Sequence, residues 1–265
     1  MTPLADLHIH SVYSDGTLTP QELAKIFAKH NASIVSLTDH DTVAGVEEMT
    51  ESCKRLGLIN IPGIEISTFD KVEIHILGYN MDMSNNSFVK FMEVLGKKRH
   101  ERILRILDKL KAHCIDISYE RVLGYSTASL SRFHIAKVMA ESGYGGGTIQ
   151  GCFNRYLAYG RSCFVPHFIS EPEHAIEVIR KAGGIAVFAH PIRTELSKSQ
   201  TEDLIKRLIR HGLDGIEAEY RGNKELVKFA EDNNLLITAG GDFHTHNSVP
   251  HLRPMREKLK ERLQL

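Results

Sequence analysis

The chain has 265 residues, 42% hydrophobic and 25% charged, with 33 basic side chains balancing 33 acidic ones, a size and composition that suit one large α/β domain or a domain carrying an insertion. No apolar run approaches the roughly 20 residues of a membrane span, and the opening MTPLADLHIHS lacks the basic and apolar regions of a secretory signal. Four scattered cysteines (Cys53, Cys114, Cys152, Cys163) form no C-x-x-C pair and are expected to stay reduced, so a cytoplasmic enzyme with no membrane and no obligate protein partner is the expectation.

Histidine stands out at 15 residues, and its positions follow the predicted elements. A strand over Ala5–His10 places His8 and His10 two apart, so both point to one face, and Ser14-Asp15-Gly16 follows in the next loop. Helix Thr19–His30 opens Thr-Pro-Gln-Glu, an N-cap followed by proline at the first helical position. Strand Ile34–Thr38 ends in Asp39-His40-Asp41, and strand Ile61–Ile66 carries Glu65. Strand Glu73–Gly78 holds His75.

The rhythm then breaks. From Met83 to Pro166 thirteen Lys and Arg face six Asp and Glu, a balance of +7 that leaves −7 on the remainder. A long charged helix over Phe88–His113 and further helical segments read as a mostly helical insertion, 82–166, within a domain formed by 1–81 and 167–265. Gly143–Gly147 has no strand before it and no Lys-Ser/Thr after it, so it reads as a turn and not a phosphate loop. A cationic cover over an acidic core suits an anionic substrate.

Alternation resumes with helix Pro172–Ala182, strand Gly184–Ala189 ending in His190, helix Ser199–His211, strand Gly215–Glu219, helix Lys224–Asn233, and strand Leu236–Gly240 followed by Asp242-Phe243-His244. Repeated strand–helix–strand units imply a parallel sheet, and seven strands imply a closed or nearly closed barrel with its chemistry at the strand C-termini. Most of the strands deliver His, Asp or Glu to that end. So many buried acids and imidazoles demand a compensating cation, and mixed imidazole–carboxylate ligation suits Zn²⁺, Mn²⁺ or Fe.

The segments HIHSVYSDG, TDHDT, GIEIS, AHP and GGDFH resemble the PHP (polymerase and histidinol phosphatase) family of metallophosphoesterases, in family order from about residue 4 to 247. Ser131-Arg132-Phe133-His134-Ile135-Ala136 resembles the Arg-Pro-His-Ile-Ala pattern of the subgroup acting on nucleotides and small phosphate esters, with Phe133 in place of the usual proline. The resemblance implies a distorted (β/α)7 TIM-like barrel with a trinuclear centre of Mn, Zn and/or Fe. His8, His10, Glu65 and Asp242 would hold one ion. Glu65 would bridge to a second, bound by His75 and His190. Asp15, His40 and His244 would hold a third; some relatives carry histidine in place of Asp15.

The implied chemistry is phosphate-ester hydrolysis by a metal-bridging hydroxide, with Asp242 and Glu65 central to it. Arg132 is expected to clamp phosphate. His134 is expected to hydrogen-bond phosphate or protonate the leaving oxygen, and Asp41 to touch substrate, position a ligand or cap a helix. Substrate expectations run from a small phosphorylated metabolite, nucleotide or sugar phosphate, including cyclic phosphates and 3′,5′-bisphosphates, to 5′-end trimming of short RNA. Histidinol phosphatase and a non-catalytic module are the other readings. The zero net charge and absence of tryptophan disfavour a long polynucleotide groove.

Overall fold

A computed structural model describes residues 2–126, 128–166, 170–219 and 223–265. Two sheets form a mixed α/β fold. The first, in the order β3-β2-β1-β9, comprises β1 (Leu4–Ile9), β2 (Ile34–Leu37), β3 (Ile59–Asn60) and β9 (Arg253–Pro254). The second runs in chain order through β4 (Gly63–Asp70), β5 (Val72–Tyr79), β6 (Ile185–Phe188), β7 (Gly215–Ile216) and β8 (Leu236–Ile237).

The helices in chain order are α1 (Pro20–Lys29), α2 (Val46–Arg55), α3 (Asn86–Ala112), α4 (Tyr119–Leu123), α5 (Arg132–Glu141), α6 (Ile149–Cys152), α7 (Pro172–Lys181), α8 (Lys198–Arg210), α9 (Lys224–Asp232) and α10 (Glu257–Leu263). The start of α1 follows from its sequence. The Thr19 hydroxyl accepts the Glu22 amide at 3.2 Å, and the Glu22 carboxylate accepts the Thr19 amide at 2.9 Å. Such a capping box is worth about 1 kcal/mol.

The expected all-parallel arrangement holds for β1–β2–β3 and β6–β7–β8 but fails around β5. Strands β4 and β5 pair antiparallel along their whole length, and β5 pairs antiparallel with β6. The cause is local: only Lys71, at φ 61, separates β4 from β5, whereas a parallel crossover needs a dozen or more residues.

Backbone hydrogen bonds lace the two sheets together on both sides. The Leu7 amide donates to Ala239 at 3.1 Å, the His10 amide to Phe243 at 2.8 Å, and the Phe243 amide to His8 at 3.1 Å. On the other side the Asp41 amide donates to Glu65 at 2.8 Å and the Glu65 amide to Asp39 at 3.2 Å. Both seams therefore run through residues that the sequence marks as functional.

Between β5 and β6 lie α3 to α6, with an apolar core of their own running from Ile103 to Val165. Helix α3 joins the two cores: Phe88, Phe91 and Leu95 pack with β4–β8 and α7, while Ile103, Ile106 and Leu110 belong to the second core. Each fully buried side chain of this size contributes about 1.5–3 kcal/mol. The expected boundary at 167 lies outside the described residues. Gly143 and Gly145 take left-handed φ of 85° and 63°, as a turn requires. Among the described residues no helix is long and apolar enough to cross a membrane.

Candidate metal centre

Alternation along β1 sends Leu7 and Ile9 into apolar cores and turns His8 and His10 to the opposite face, where both are fully buried. The loop after β8 runs alongside them. Buried Phe243 packs edge-on against Phe27, with ring centroids 5.3 Å apart, and this anchor sets Asp242 and His244 on either side of it. Glu65, in the middle of β4, is completely buried. His75 stands opposite Ser67 on the antiparallel neighbour, so it reaches Glu65 diagonally. His40 follows β2 and His190 follows β6.

Glu65 is the hub. One carboxylate oxygen lies 3.3 Å from His8 Nε2, 3.2 Å from His10 Nε2 and 3.0 Å from His40 Nδ1. The other lies 2.9 Å from His75 Nδ1 and 3.0 Å from His190 Nε2. Asp242 Oδ1 approaches His8, His10 and His244 at 3.6, 3.2 and 3.5 Å. Asp15 approaches His10 and His40 at 3.8 Å and His244 at 3.3 Å.

Three groups place their ligand atoms within 4.8 Å of one another: His8 with His10, Glu65 and Asp242; His10 with Asp15, His40 and His244; and His40 with Glu65 and His75. The first matches the expected set. In the second, His10 joins the expected trio. In the third, His40 stands with Glu65 and His75, while His190 reaches the same carboxylate. All nine expected ligand residues meet at one site.

The donor chemistry fits divalent metal. His8 Nε2, His10 Nε2, His40 Nδ1, Asp15 Oδ1 and Glu65 Oε2 are buried with no hydrogen-bond partner, which is costly for any group that does not meet a cation. Burial works to raise the Glu65, Asp242 and Asp15 carboxyls, but the surrounding imidazoles hold all three well below the usual range. Conversely, burial works to lower His10 and His75, and the carboxylates outweigh it, pushing them up to about 9 and about 10.

Residues outside the expected set orient this cluster. Buried Glu217 accepts from the His190 amide at 2.8 Å and meets His8 Nδ1 at 3.1 Å. Its only sequence signal is an acid flanked by apolar Ile216 and Ala218, just past β7. Asp39 accepts the Ser11 amide at 2.7 Å, the Ser11 hydroxyl at 2.6 Å and the Ser14 hydroxyl at 2.5 Å, holding the loop that carries Asp15. Asp6 accepts amides from His8, Gly241 and His251 at 3.2, 2.9 and 2.9 Å.

At Gly240 a Cβ would lie 2.3 Å from His8 Cβ and 2.6 Å from Glu217 Oε1, so no side chain fits there. Asp41, His190 and Asp242 have φ of 51°, 28° and 51°, conformations that L-residues adopt at a cost of about 1–3 kcal/mol and that cluster at functional sites.

The remaining expected residues lie in or against the segment between β5 and β6. Asp41 is held by Arg99 Nε at 2.6 Å and by the Ser67 amide at 2.7 Å. His134 is buried, and its Nδ1 accepts the Ser131 amide at 3.0 Å in the cap of α5. Burial pushes it down to about 4, so it is neutral near pH 7. Arg132 opens α5, donates to Glu73 at 3.0 Å and lies 5.3 Å from the Phe164 ring centroid. A cavity of about 330 Å³ runs along the cluster, with His190, Asp242 and His244 on one wall and Tyr159 and Phe164 on the other.

The PHP domain model matches residues 6–182. A 5′-3′ exoribonuclease of Haemophilus influenzae is 34% identical over 92% of this chain and 91% of its own length. A 3′,5′-nucleoside bisphosphate phosphatase of Chromobacterium violaceum is 29% identical over 97% of each. A solved structure from Bifidobacterium adolescentis, provisionally assigned as a metal-dependent phosphoesterase, superimposes with a TM-score of 0.85 at 30% identity over 98% of this chain and 95% of that one. With the matched motifs on the strands and loops that build the cluster, the chain belongs to the PHP domain family.

Proposed function

We propose that the protein is a metal-dependent phosphoesterase acting on a small phosphorylated metabolite or nucleotide. The observation that carries this reading is the convergence of buried, unpartnered imidazole and carboxylate atoms on Glu65 beside an open cavity. Three divalent transition-metal ions, drawn from Mn, Zn and Fe, suit the nine residues. His8, His10, Glu65 and Asp242 would hold the first, Glu65 with His75 and His190 the second, and Asp15 with His40 and His244 the third. Bound there, the ions would supply Lewis acidity toward phosphoryl oxygens and a water ionised near neutral pH.

The chain's own residues do the rest. Glu217 and Asp39 orient ligands, Asp41 positions Arg99 against the Ser67 hydroxyl, and Arg132, which lines a smaller pocket with Asp15, His40 and His75, offers its guanidinium to phosphate there. His134, neutral and tied into a helix cap, supports the loop carrying Asp15 and is a poor proton donor at neutral pH. The two sheets laced at Ile9–Phe243 and His40–Glu65 suit a distorted seven-unit barrel, with 82–166 as a substrate-covering insertion.

A second reading is 5′-end trimming of short RNA. The exposed Tyr159 ring, edge-on to Phe164 at 5.4 Å on the cavity wall, offers a sequence-tolerant stacking face. The test is a phosphate-release screen with Mn²⁺ over mononucleotides, 3′,5′-bisphosphates, cyclic phosphates, histidinol phosphate and 5′-phosphorylated oligoribonucleotides, beside metal analysis. Release from a nucleotide or small ester by metal-loaded protein is expected. Metal-free protein that hydrolyses none of these esters after Mn²⁺ loading would end the proposal.

A further inference from the structure

We infer that Arg99 is a positioning residue through which the helical insertion sets His40, so that the ion proposed for Asp15, His40 and His244 is held more tightly when the insertion is docked. This rests on the metal-dependent reading. Arg99 lies near the middle of α3 and is only 5% exposed. Its donors leave for three different segments. Nε donates to Asp41 at 2.6 Å, just past β2; Nη2 donates to the Ser67 hydroxyl at 3.0 Å, in β4; Nη1 donates to the Leu130 carbonyl at 2.9 Å, shortly before α5. Arg102, three residues on, is equally buried but donates to the Val165 carbonyl at 3.0 Å, within the insertion itself.

Asp41 passes this contact to the metal centre. Its other carboxylate oxygen accepts the Ser67 amide at 2.7 Å, and its own amide donates to the Glu65 carbonyl at 2.8 Å. Its φ of 51° is one that a residue with a side chain keeps only where its surroundings fix it. His40 is the residue before it, with Nδ1 3.0 Å from Glu65 Oε2. Asp39 is tied to Ser11 and Ser14 on one side of His40, and Asp41 to Arg99 and Ser67 on the other. The backbone that carries this imidazole is therefore pinned at both ends, and one pin comes from the insertion.

A buried carboxylate stripped of its cation is strongly unfavourable, so Asp41 depends on Arg99 to stay ionised in this turn. The insertion also grips the neighbouring loop: Ser126 donates from Oγ to the Tyr13 carbonyl at 3.1 Å, two residues before Asp15. Asp15 and His40 thus both stand on segments that the insertion holds. Where docking favours the metal, metal favours docking by the same factor. Loading the centre should accordingly quieten the insertion, and releasing the insertion should loosen one ion.

The test uses the full chain as wild type, Arg99→Met, Arg99→Lys and Arg102→Met. Mn²⁺ affinity is read by competition with a chelator, and amide hydrogen exchange over residues 128–141 is followed with and without Mn²⁺; melting curves check folding. Arg99→Met is expected to weaken one Mn²⁺ equivalent about 10–100-fold and to leave the others as in wild type. Arg99→Lys, which keeps a cation for Asp41 but offers a single ammonium to three acceptors, is expected to recover part of that affinity. Arg102→Met is expected to lower the melting temperature without weakening any equivalent. Mn²⁺ should slow exchange over 128–141 in wild type and fail to do so in Arg99→Met.

Equal weakening in Arg99→Met and Arg102→Met would trace the effect to general loosening of the insertion. A lower melting temperature with unchanged Mn²⁺ affinity would make Arg99 a structural ion pair. Exchange over 128–141 that ignores Mn²⁺ in wild type would break the linkage, and this measurement decides the matter even if Arg99→Met does not fold. Each of these overturns the proposal alone, since wild type would still bind metal. Wild type that takes up no Mn²⁺ would end the metal-dependent reading and this proposal with it.

Discussion

The two walls of the cleft are built in different ways. The strand wall carries side chains that are largely buried, with the inward atoms of His8, His10 and His40 unpartnered and His8 Nδ1 and the His190 amide held by Glu217. The helical wall carries Arg132 at the first turn of α5, partly exposed and already paired with Glu73. Strand pleat and seam hydrogen bonds leave the first wall few alternatives. The second rests on a separate apolar core, joined to the first through α3, and on polar contacts such as Arg99–Asp41 and Arg132–Glu73. In the proposed reading the chemistry belongs to the strand wall and the choice of substrate to the helical one.

The strongest way to break this contrast is at the hub. Glu65→Gln is expected to lower kcat/KM by about a thousandfold or more, some 4 kcal/mol, with loss of bound metal by elemental analysis. Retained metal and rate would show that the hub is only structural. On the opposite wall, Arg132→Ala is expected to cost about 2–4 kcal/mol of transition-state stabilisation while metal content stays normal. If metal fell in parallel, the two walls would not be separable.

His134 tests the stability of the helical wall. Its folded pKa of about 4 lies below the unfolded value near 6.5. Between those pH values the unfolded chain binds a proton that the native state refuses. Stability is therefore full above pH 6.5 and falls as pH drops toward 4, by on the order of 3 kcal/mol. Denaturant titrations of wild type and His134→Asn across that window should show the slope flatten in the variant; parallel curves would remove His134 as its source.

Smaller effects sharpen the boundary. Glu217→Gln should weaken metal affinity about 10–100-fold, the usual effect of losing a group that orients a ligand, measured by competition with a chelator. Unchanged affinity would make its contacts with His8 and His190 incidental. Thr19→Ala, far from both walls, should cost about 1 kcal/mol of stability without changing kcat/KM. A change in kcat/KM would tie α1 to the cleft.

Most of the strand wall was legible in the sequence, because the candidate ligands stand within or just past apolar runs, and period 2 assigns a face to those within them. The antiparallel β4–β5 pair was not. Its strands look like any others, and the decision rests on one residue, Lys71. Glu217 escaped for a related reason: its role lies in touching two histidines far away in the chain, which no local pattern records. Arg102 and Arg99 read as ordinary positions on a charged helix, and only the fold shows that they face inward. For His134 the sequence allows a phosphate contact, a proton donor or a structural imidazole; its burial and the Ser131 amide on Nδ1 bear on the proton-donor role, and neither is visible in the sequence.

Gly240 has a consequence for how the protein can vary. With His8 Cβ and Glu217 Oε1 within 2.6 Å of where a methyl group would sit, even alanine there must push apart the strand bearing the first histidine and the acid that aims it. A position that binds nothing is thus as intolerant of change as the ligands themselves. A loss-of-function substitution at 240 would look, to anyone scanning for ligands, like damage to an empty stretch of chain.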